Sequence, residues 1–274
     1  MEHDDTQTGR ILSRREILSL FGAAGGALLA GCAITPASPA PGAQPTVPPA
    51  PATRVPQPAN TSAAPTSTPA FVQALPACIV TPAQAEGPYF VDQQLNRSDI
   101  RADPADGSAR EGLPLLLTIR ILRANATGCA PLAGAVVDIW HCDAQGVYSG
   151  VQDRYANTVG QSFLRGYQIT DVDGLAQFTT IYPGWYPGRT PHIHFKVRAT
   201  DAAGRELEFT SQLYFDDAIS DRVFAQAPYN RRSGRGTRNE NDALFRRNGE
   251  LLMLALTPTD SGYAGAFDIG LNMG

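Results

Sequence analysis

The sequence predicts an all-β fold, a β-sandwich over residues 75–274 preceded by a signal peptide and a disordered, Pro-rich stalk. Three observations predict it. Short runs of β-branched and aliphatic residues recur at 115–122, 135–142, 166–170, 175–181, 209–215, 251–257 and 263–271. Turns containing Gly or Pro separate them, and short strands at close spacing with such turns are the pattern of a sandwich. Helical character is confined to a weak stretch at 242–247, and there is no internal repeat.

Taken in order, the chain opens with an address. Arg14-Arg15 precedes an apolar, Gly/Ala-rich run from Leu18 to Ala30. That run is short for a membrane span and has the charged start of an export signal. The paired arginines resemble a twin-arginine signal. The run closes on Leu29-Ala30-Gly31-Cys32, which looks like a bacterial lipoprotein box. Cys32 is therefore expected to be lipidated as the first residue of the mature chain, with cleavage nearby as the alternative. Residues 1–31 are set apart as a signal peptide. The protein is expected outside the bacterial cytoplasm, as a cell-envelope lipoprotein or a periplasmic or extracellular protein. Residues 32–74 are rich in Pro, Ala, Ser and Thr and have no hydrophobic period. Such a segment cannot bury enough apolar surface to offset its chain entropy, and proline extends it, so a stalk is predicted.

The formal net charge is −4 over 274 residues, an acidic balance with a pI near 5.6. This argues against nucleic acid as a partner. Membrane contact is expected only through the lipid at Cys32, and the sequence leaves the oligomeric state open.

Beyond Cys32 the chain has Cys78, Cys129 and Cys142. An exported domain meets an oxidising compartment, where a disulfide persists. Cys78 and Cys129 fall in loop-like surroundings ahead of strands. Cys142 ends an apolar strand, where a buried, inert thiol is the usual state. This favours Cys78–Cys129 with Cys142 free, although the sequence by itself allows the other pairings.

Asp171-Val172-Asp173-Gly174 joins two strand candidates and predicts a hairpin turn. It lacks the later ligands and the distal glutamate of a calcium loop.

The chemistry gathers in Tyr182-Pro-Gly-Trp185-Tyr186-Pro-Gly-Arg189-Thr-Pro-His192-Ile-His194-Phe195. Alternate residues of a strand share a face, so His192 and His194 present two imidazoles side by side, with Ile193 and Phe195 on the other face. A bare pair of this kind is more often two half-exposed histidines than a metal site. The nearby phenols change that weighing. Tyr186 lies six residues before His192, and Tyr148 follows a strand end and turn at His141-Cys-Asp-Ala-Gln-Gly-Val-Tyr148. Two phenols and two imidazoles suit a hard trivalent ion, above all Fe(III), because a bound cation strongly favours the phenolate. For a lone tyrosine the ordinary role is a packed aromatic with a satisfied hydroxyl.

These residues, in this order, resemble the intradiol ring-cleavage dioxygenases, the catechol and protocatechuate 3,4-dioxygenase family. The matching pieces are EGPYF at 86–90, PLAGAVVDIWHCDAQGVYS at 131–149, FLRGYQITDVDGLAQF at 163–178, YPGWYPGRTPHIHF at 182–195 and SQLYF at 211–215. The resemblance covers roughly residues 76–271. It implies Tyr148, Tyr186, His192 and His194 as ligands of a non-haem Fe(III). It also implies catalytic roles for Arg189, Gln212 and Tyr186, the last leaving the metal as substrate binds. Tyr89 and Trp185 are candidate pocket walls. The implied enzyme is an oxidoreductase that cleaves a catechol-type aromatic 1,2-diol and places both atoms of O2 in a cis,cis-muconate-type diacid. The particular diol stays open among catechol, protocatechuate, hydroxyquinol and a lignin-derived diol. Two departures bear on substrate and assembly: the loop between Tyr186 and His192 is short, and the stalk stands where catechol dioxygenases carry a helical dimerisation segment.

Two other readings fit parts of the sequence. A non-catalytic, transthyretin-like binding module on the cell surface would fit the 167–178 segment and leave the two phenols and two imidazoles as coincidence. A zinc hydrolase would need further ligands, and His141 is the only other histidine beyond the signal peptide. His141 is expected instead to orient the Tyr148 loop.

Overall fold

The computed structural model describes residues 80–125, 128–201, 203–232 and 234–273, all within the compact unit Ser67–Gly274. The predicted signal peptide and stalk, Cys32 and Cys78 lie outside the described residues. Among the described residues there are nine strands: β1 (Pro114–Asn125), β2 (Gly128–Pro131), β3 (Val136–Trp140), β4 (Arg165–Ile169), β5 (Leu175–Ile181), β6 (His192–Thr200), β7 (Glu206–Tyr214), β8 (Ala255–Pro258) and β9 (Tyr263–Asn272). They form two sheets. One runs β2-β1-β9-β8, with β5 also pairing β1; the other runs β4-β3-β6-β7. The fold is all-β, as the sequence predicts.

The alternation of the strands builds the core. Leu115, Leu117, Ile119 and Ile121 of β1, with Phe178 and Ile269, belong to one buried cluster with Val137 and Ile139 of β3, Ile193, Phe195 and Val197 of β6, and Leu213 of β7. The odd-numbered positions of β6 are thus spent on the core. Its even-numbered positions, His192, His194 and Lys196, are left for the opposite face of the four-stranded sheet.

The structure corrects several local expectations. The segments around Asp171–Gly174 do not form a hairpin: β4 pairs β3 in one sheet, and β5 pairs β1 in the other. The turn itself forms, with Asp171 Oδ1 accepting from the amides of Asp173 and Leu175. It serves as a corner between sheets, because each strand finds its apolar partners on a different layer. The 242–247 stretch is not helical but a set of turns after a 3-10 turn at Asn239–Asn241. The α-helix among the described residues is instead α1 (Asp217–Phe224), capped by Asp216, whose carboxylate accepts from the amides of Ala218 and Ile219. An aspartate with its carboxylate free for those amides is a strong helix start, and it is the signal that finds this helix. Residues 249–252 form a 3-10 turn ahead of the shorter β8. Cys129 lies on β2 rather than in a loop and is disulfide-bonded. Cys142 is free and buried, and burial pushes its thiol pKa far up.

Candidate metal centre

Register places the site. Trp140 of β3, His194 of β6 and Gln212 of β7 are direct cross-strand neighbours, as are His192 and Tyr214. Residues opposite one another in a ladder share a face. One row of side chains therefore carries both imidazoles, an amide, a phenol and an indole. The indole of Trp140 stacks on His194 with ring centroids 5.0 Å apart and planes 5° from parallel.

Two loops bring the tyrosines. In the first, Asp143 Oδ1 accepts from the amides of Gln145 and Val147, folding the turn that delivers Tyr148. Tyr148 is held from behind: Thr158 Oγ1 donates to its carbonyl, and Arg165 Nε donates to the carbonyl and hydroxyl of Ser149. The second loop carries Tyr186 and interlocks with the first at Gly184, whose amide donates to the Asp143 carbonyl. A Cβ on residue 184 would lie 2.4 Å from that oxygen, so only glycine permits the approach. His141 holds the root of the Tyr148 loop. Its ring nitrogens meet the Cys142 carbonyl and Thr180 Oγ1, tying the end of β3 to β5.

Four donor atoms converge. His192 Nε2 lies 3.1 Å from His194 Nε2, 3.3 Å from Tyr186 Oη and 3.4 Å from Tyr148 Oη. His192 Nδ1 sits 2.6 Å from the Thr190 carbonyl, an acceptor, so Nδ1 carries the proton and Nε2 turns a lone pair to the other three atoms. Two imidazole nitrogens and two phenol oxygens facing one point are a donor set for a metal ion. Among the described residues no group of three or more His, Cys, Asp or Glu side chains is placed for that role. The set depends on its phenols, and their chemistry fits a hard, highly charged ion.

Burial sets the charge state. It holds the Tyr148 phenol well above its ordinary pKa, with Tyr186 adding to the effect. It lifts Tyr186 to about 12 against the opposing pull of Arg189. Burial also pushes both histidines well below their ordinary value, with Arg189 adding at His192, and His192 and Arg189 at His194. At neutral pH the four donors are uncharged and Arg189 is the cation beside them. Desolvation pulls Arg189 down, but Tyr186, Asp242 and Tyr214 together leave its pKa above the ordinary value.

Arg189 Nη1 is 3.4 Å from both Tyr186 Oη and His192 Nε2. Nη2 donates to Gln212 Oε1 at 2.5 Å, and Gln212 in turn donates to the Ala85 carbonyl. Arg189 and Gln212 are therefore brought together against the four donors. Segment 86–90 lies across them. Glu86 pairs with Lys196 at 2.5 Å, and Gly87, at φ +76°, would bring a Cβ to 3.3 Å from His194 Cε1. Tyr89 lies flat on Tyr148, centroids 4.3 Å apart, and edge-on to Tyr186. Its hydroxyl donates to Asp153. Trp185, the other expected wall, carries the guanidinium of Arg232 4.3 Å above its ring. Sequence reading overlooked Tyr214, Trp140, Thr190, Asn239 and Asp242. Tyr214 and Trp140 sit inside the quoted motifs and follow from β register, while Asn239 and Asp242 come from a turn segment whose only sequence signal was a weak helical one beginning at Asp242.

A β-sandwich with two imidazoles on one sheet face, and two phenols and a fixed arginine brought against them by loops, defines a class of protein, and comparison supplies the family. The Dioxygenase family profile matches residues 85–243. The intradiol ring-cleavage dioxygenase from Tetranychus urticae is 33% identical, with a TM-score of 0.61, covering 71% of this chain and 95% of that one. The dioxygenase domain of a dioxygenase carbohydrate-binding protein fusion from Streptomyces sp. SirexAA-E is also 33% identical, with a TM-score of 0.52, covering 72% and 100%. A chlorocatechol 1,2-dioxygenase from Pseudomonas sp. strain P51 is 32% identical over 105 residues, 32% of this chain and 39% of that enzyme's length. The chain belongs to the intradiol dioxygenase family.

Proposed function

We propose that this protein is a non-haem Fe(III) intradiol dioxygenase, cleaving a catechol-type 1,2-diol with O2 to a cis,cis-muconate-type diacid. The observation that carries the reading is the convergence of Tyr148, Tyr186 and His194 on the unprotonated Nε2 of His192, with Arg189 alongside. Tyr148, Tyr186, His192 and His194 would hold the ion. When bound, ferric iron supplies the Lewis acidity that opens the diol ring to attack by O2.

The chain supplies the rest. Tyr186 Oη, beside Arg189, would be ionised on binding the ion and could then take up a proton as the diol ionises. Arg189, cationic at any working pH, stabilises negative charge on the ring. Gln212 Oε1 holds that guanidinium by accepting from Nη2. Tyr89, Tyr148 and Trp140 line the centre with aromatic surface. The test is the visible spectrum of the purified domain. Two phenolates on ferric iron should colour it reddish-brown, with the band moving when catechol is added. A colourless protein holding stoichiometric zinc would sink the assignment.

The charge state adds a second expectation. Each phenol must lose its proton to bind the ion, whereas both imidazoles are already neutral. Below the phenol pKa values, metal affinity should therefore rise with pH throughout the neutral range, the two phenols together releasing about two protons per ion. Near pH 7 the wild type should release about one proton more per ferric ion than Tyr148→Phe, a difference that cancels the hydrolysis of the ion itself. Equal release would remove Tyr148 from the ligand set.

The proposal also includes export, supported by Arg14-Arg15 and Cys32. Cys32→Ser should move the protein from the membrane fraction to the soluble one without changing ring cleavage. Wild-type protein found in the cytoplasm with an intact N-terminus would count against it.

A further inference from the structure

Asp242 reaches the site from a segment that carries none of its ligands. It is fully buried, and its carboxylate serves two pairs of donors. Oδ1 accepts from the amides of Leu244 and Phe245, closing its own turn. Oδ2 accepts from Arg189 Nε at 2.8 Å and from the Thr190 amide at 2.9 Å. Three residues earlier, Asn239 Oδ1 accepts from Thr190 Oγ1 at 2.6 Å, and its Nδ2 donates to the Phe215 carbonyl. The Thr190 carbonyl is the oxygen that meets His192 Nδ1. Both the arginine and the start of β6 are therefore moored to residues 239–242.

The geometry of a guanidinium gives this mooring a consequence. The group is planar and its donors form a rigid fork. With Nε held by Asp242 and Nη2 by Gln212, Nη1 has one direction left, toward Tyr186 Oη and His192 Nε2. The carboxylate sits at the Nε edge, away from Nη1, so the pair turns its positive end to the donor cluster. A charged hydrogen bond also tolerates burial where a lone guanidinium would not.

We propose that the Asp242 carboxylate is a positioning residue for the reaction, acting through Nε of Arg189 to aim Nη1 at the reacting diol. The inference rests on the function proposed above, in which Arg189 acts beside the substrate. A purely structural Asp242 would close its turn and nothing more.

The two roles separate on turnover per bound iron in Asp242→Asn, Arg189→Gln and the double variant. An amide cannot reproduce the charged bond to Nε. Asp242→Asn should lower turnover per iron by about 10-fold or more, the scale for an outer partner of a reactive group. Iron content and the concentration of catechol that half-shifts the band should stay within about threefold of wild type. In the Arg189→Gln background the same change should cost no more than about twofold, because the residue through which it acts is gone. Near-normal turnover per iron in folded Asp242→Asn, or a double variant as slow as the product of the singles, would overturn the proposal.

A metal-free readout accompanies this. The Arg189 Nε–H signal in a nitrogen-15 spectrum, identified by its absence in Arg189→Gln, should exchange slowly with solvent in the wild type and rapidly in Asp242→Asn. If Asp242→Asn does not fold, the wild-type signal decides: slow exchange supports the proposal, and exchange as fast as free arginine overturns it. A colourless wild type would instead defeat the iron assignment while leaving this signal intact, so the two failures are distinguishable.

Discussion

Arg189→Gln should keep the iron, the colour and most of the catechol-induced spectral change, yet lose turnover by about 100-fold or more, the scale for removing one preorganised stabilising donor. Retention follows from position. Arg189 contributes no donor atom to the four-atom cluster and lies at its edge, 3.4 Å from Tyr186 Oη and His192 Nε2. Loss of turnover follows from charge. Attack by O2 requires electron density to move onto a ring carbon. A fixed cation beside that carbon favours the shift more in the transition state than in the ground state, and that differential is what accelerates a reaction. Glutamine keeps some polarity but brings no charge, and it cannot span Asp242, Gln212 and the cluster together. Turnover per bound iron is the measurement. A value near wild type would reduce Arg189 to one half of a structural ion pair with Asp242.

His192→Ala should do the reverse, losing iron and colour together and with them all measurable ring cleavage. Its Nε2 is the atom around which the other three donors stand at 3.1–3.4 Å. Removing it takes a ligand and also the centre of the arrangement. Affinity for ferric iron should fall by about 100-fold or more, beyond the usual effect of outer-shell changes alone. The Thr190 carbonyl loses its partner as well, which costs about 1–3 kcal/mol of stability. Folding should survive, because Ile193 and Phe195, which hold β6 to the core, are untouched. Iron content and circular dichroism on the same preparation check both statements. A coloured, iron-replete His192→Ala would show that the cluster is not the metal site.

Much of this was legible in the chain itself, for physical reasons that differ between elements. The sandwich was legible because alternation has a period of two: 192–195 reads polar, apolar, polar, apolar, and the structure puts those residues on opposite faces of β6. The strand limits were less so. The 251–257 run opens with a 3-10 turn because apolar content alone does not distinguish a strand from a tight turn that also buries a leucine. Helix α1 was missed because eight residues carry too little periodicity to register, and the deciding feature was the single cap at Asp216.

For the site, the residues of one strand and its adjoining turns could be named in advance. His192 and His194 are neighbours by strand period, and Arg189 and Tyr186 are within eight residues of them. What the sequence by itself determined is this local set and the strand alternation that exposes it on one face. Only the tertiary structure decided what meets it. That the 166–181 segment is a corner and not a hairpin depends on which layer buries each strand. That Tyr148 faces Tyr186 depends on the interlocking of two loops at Gly184. That Arg189 points at the donors depends on Asp242, 53 residues later in the chain. Periodicity reports contacts between residues close in sequence, because those are set by backbone geometry. Contacts across such distances arise only when whole elements pack, and no local pattern records them.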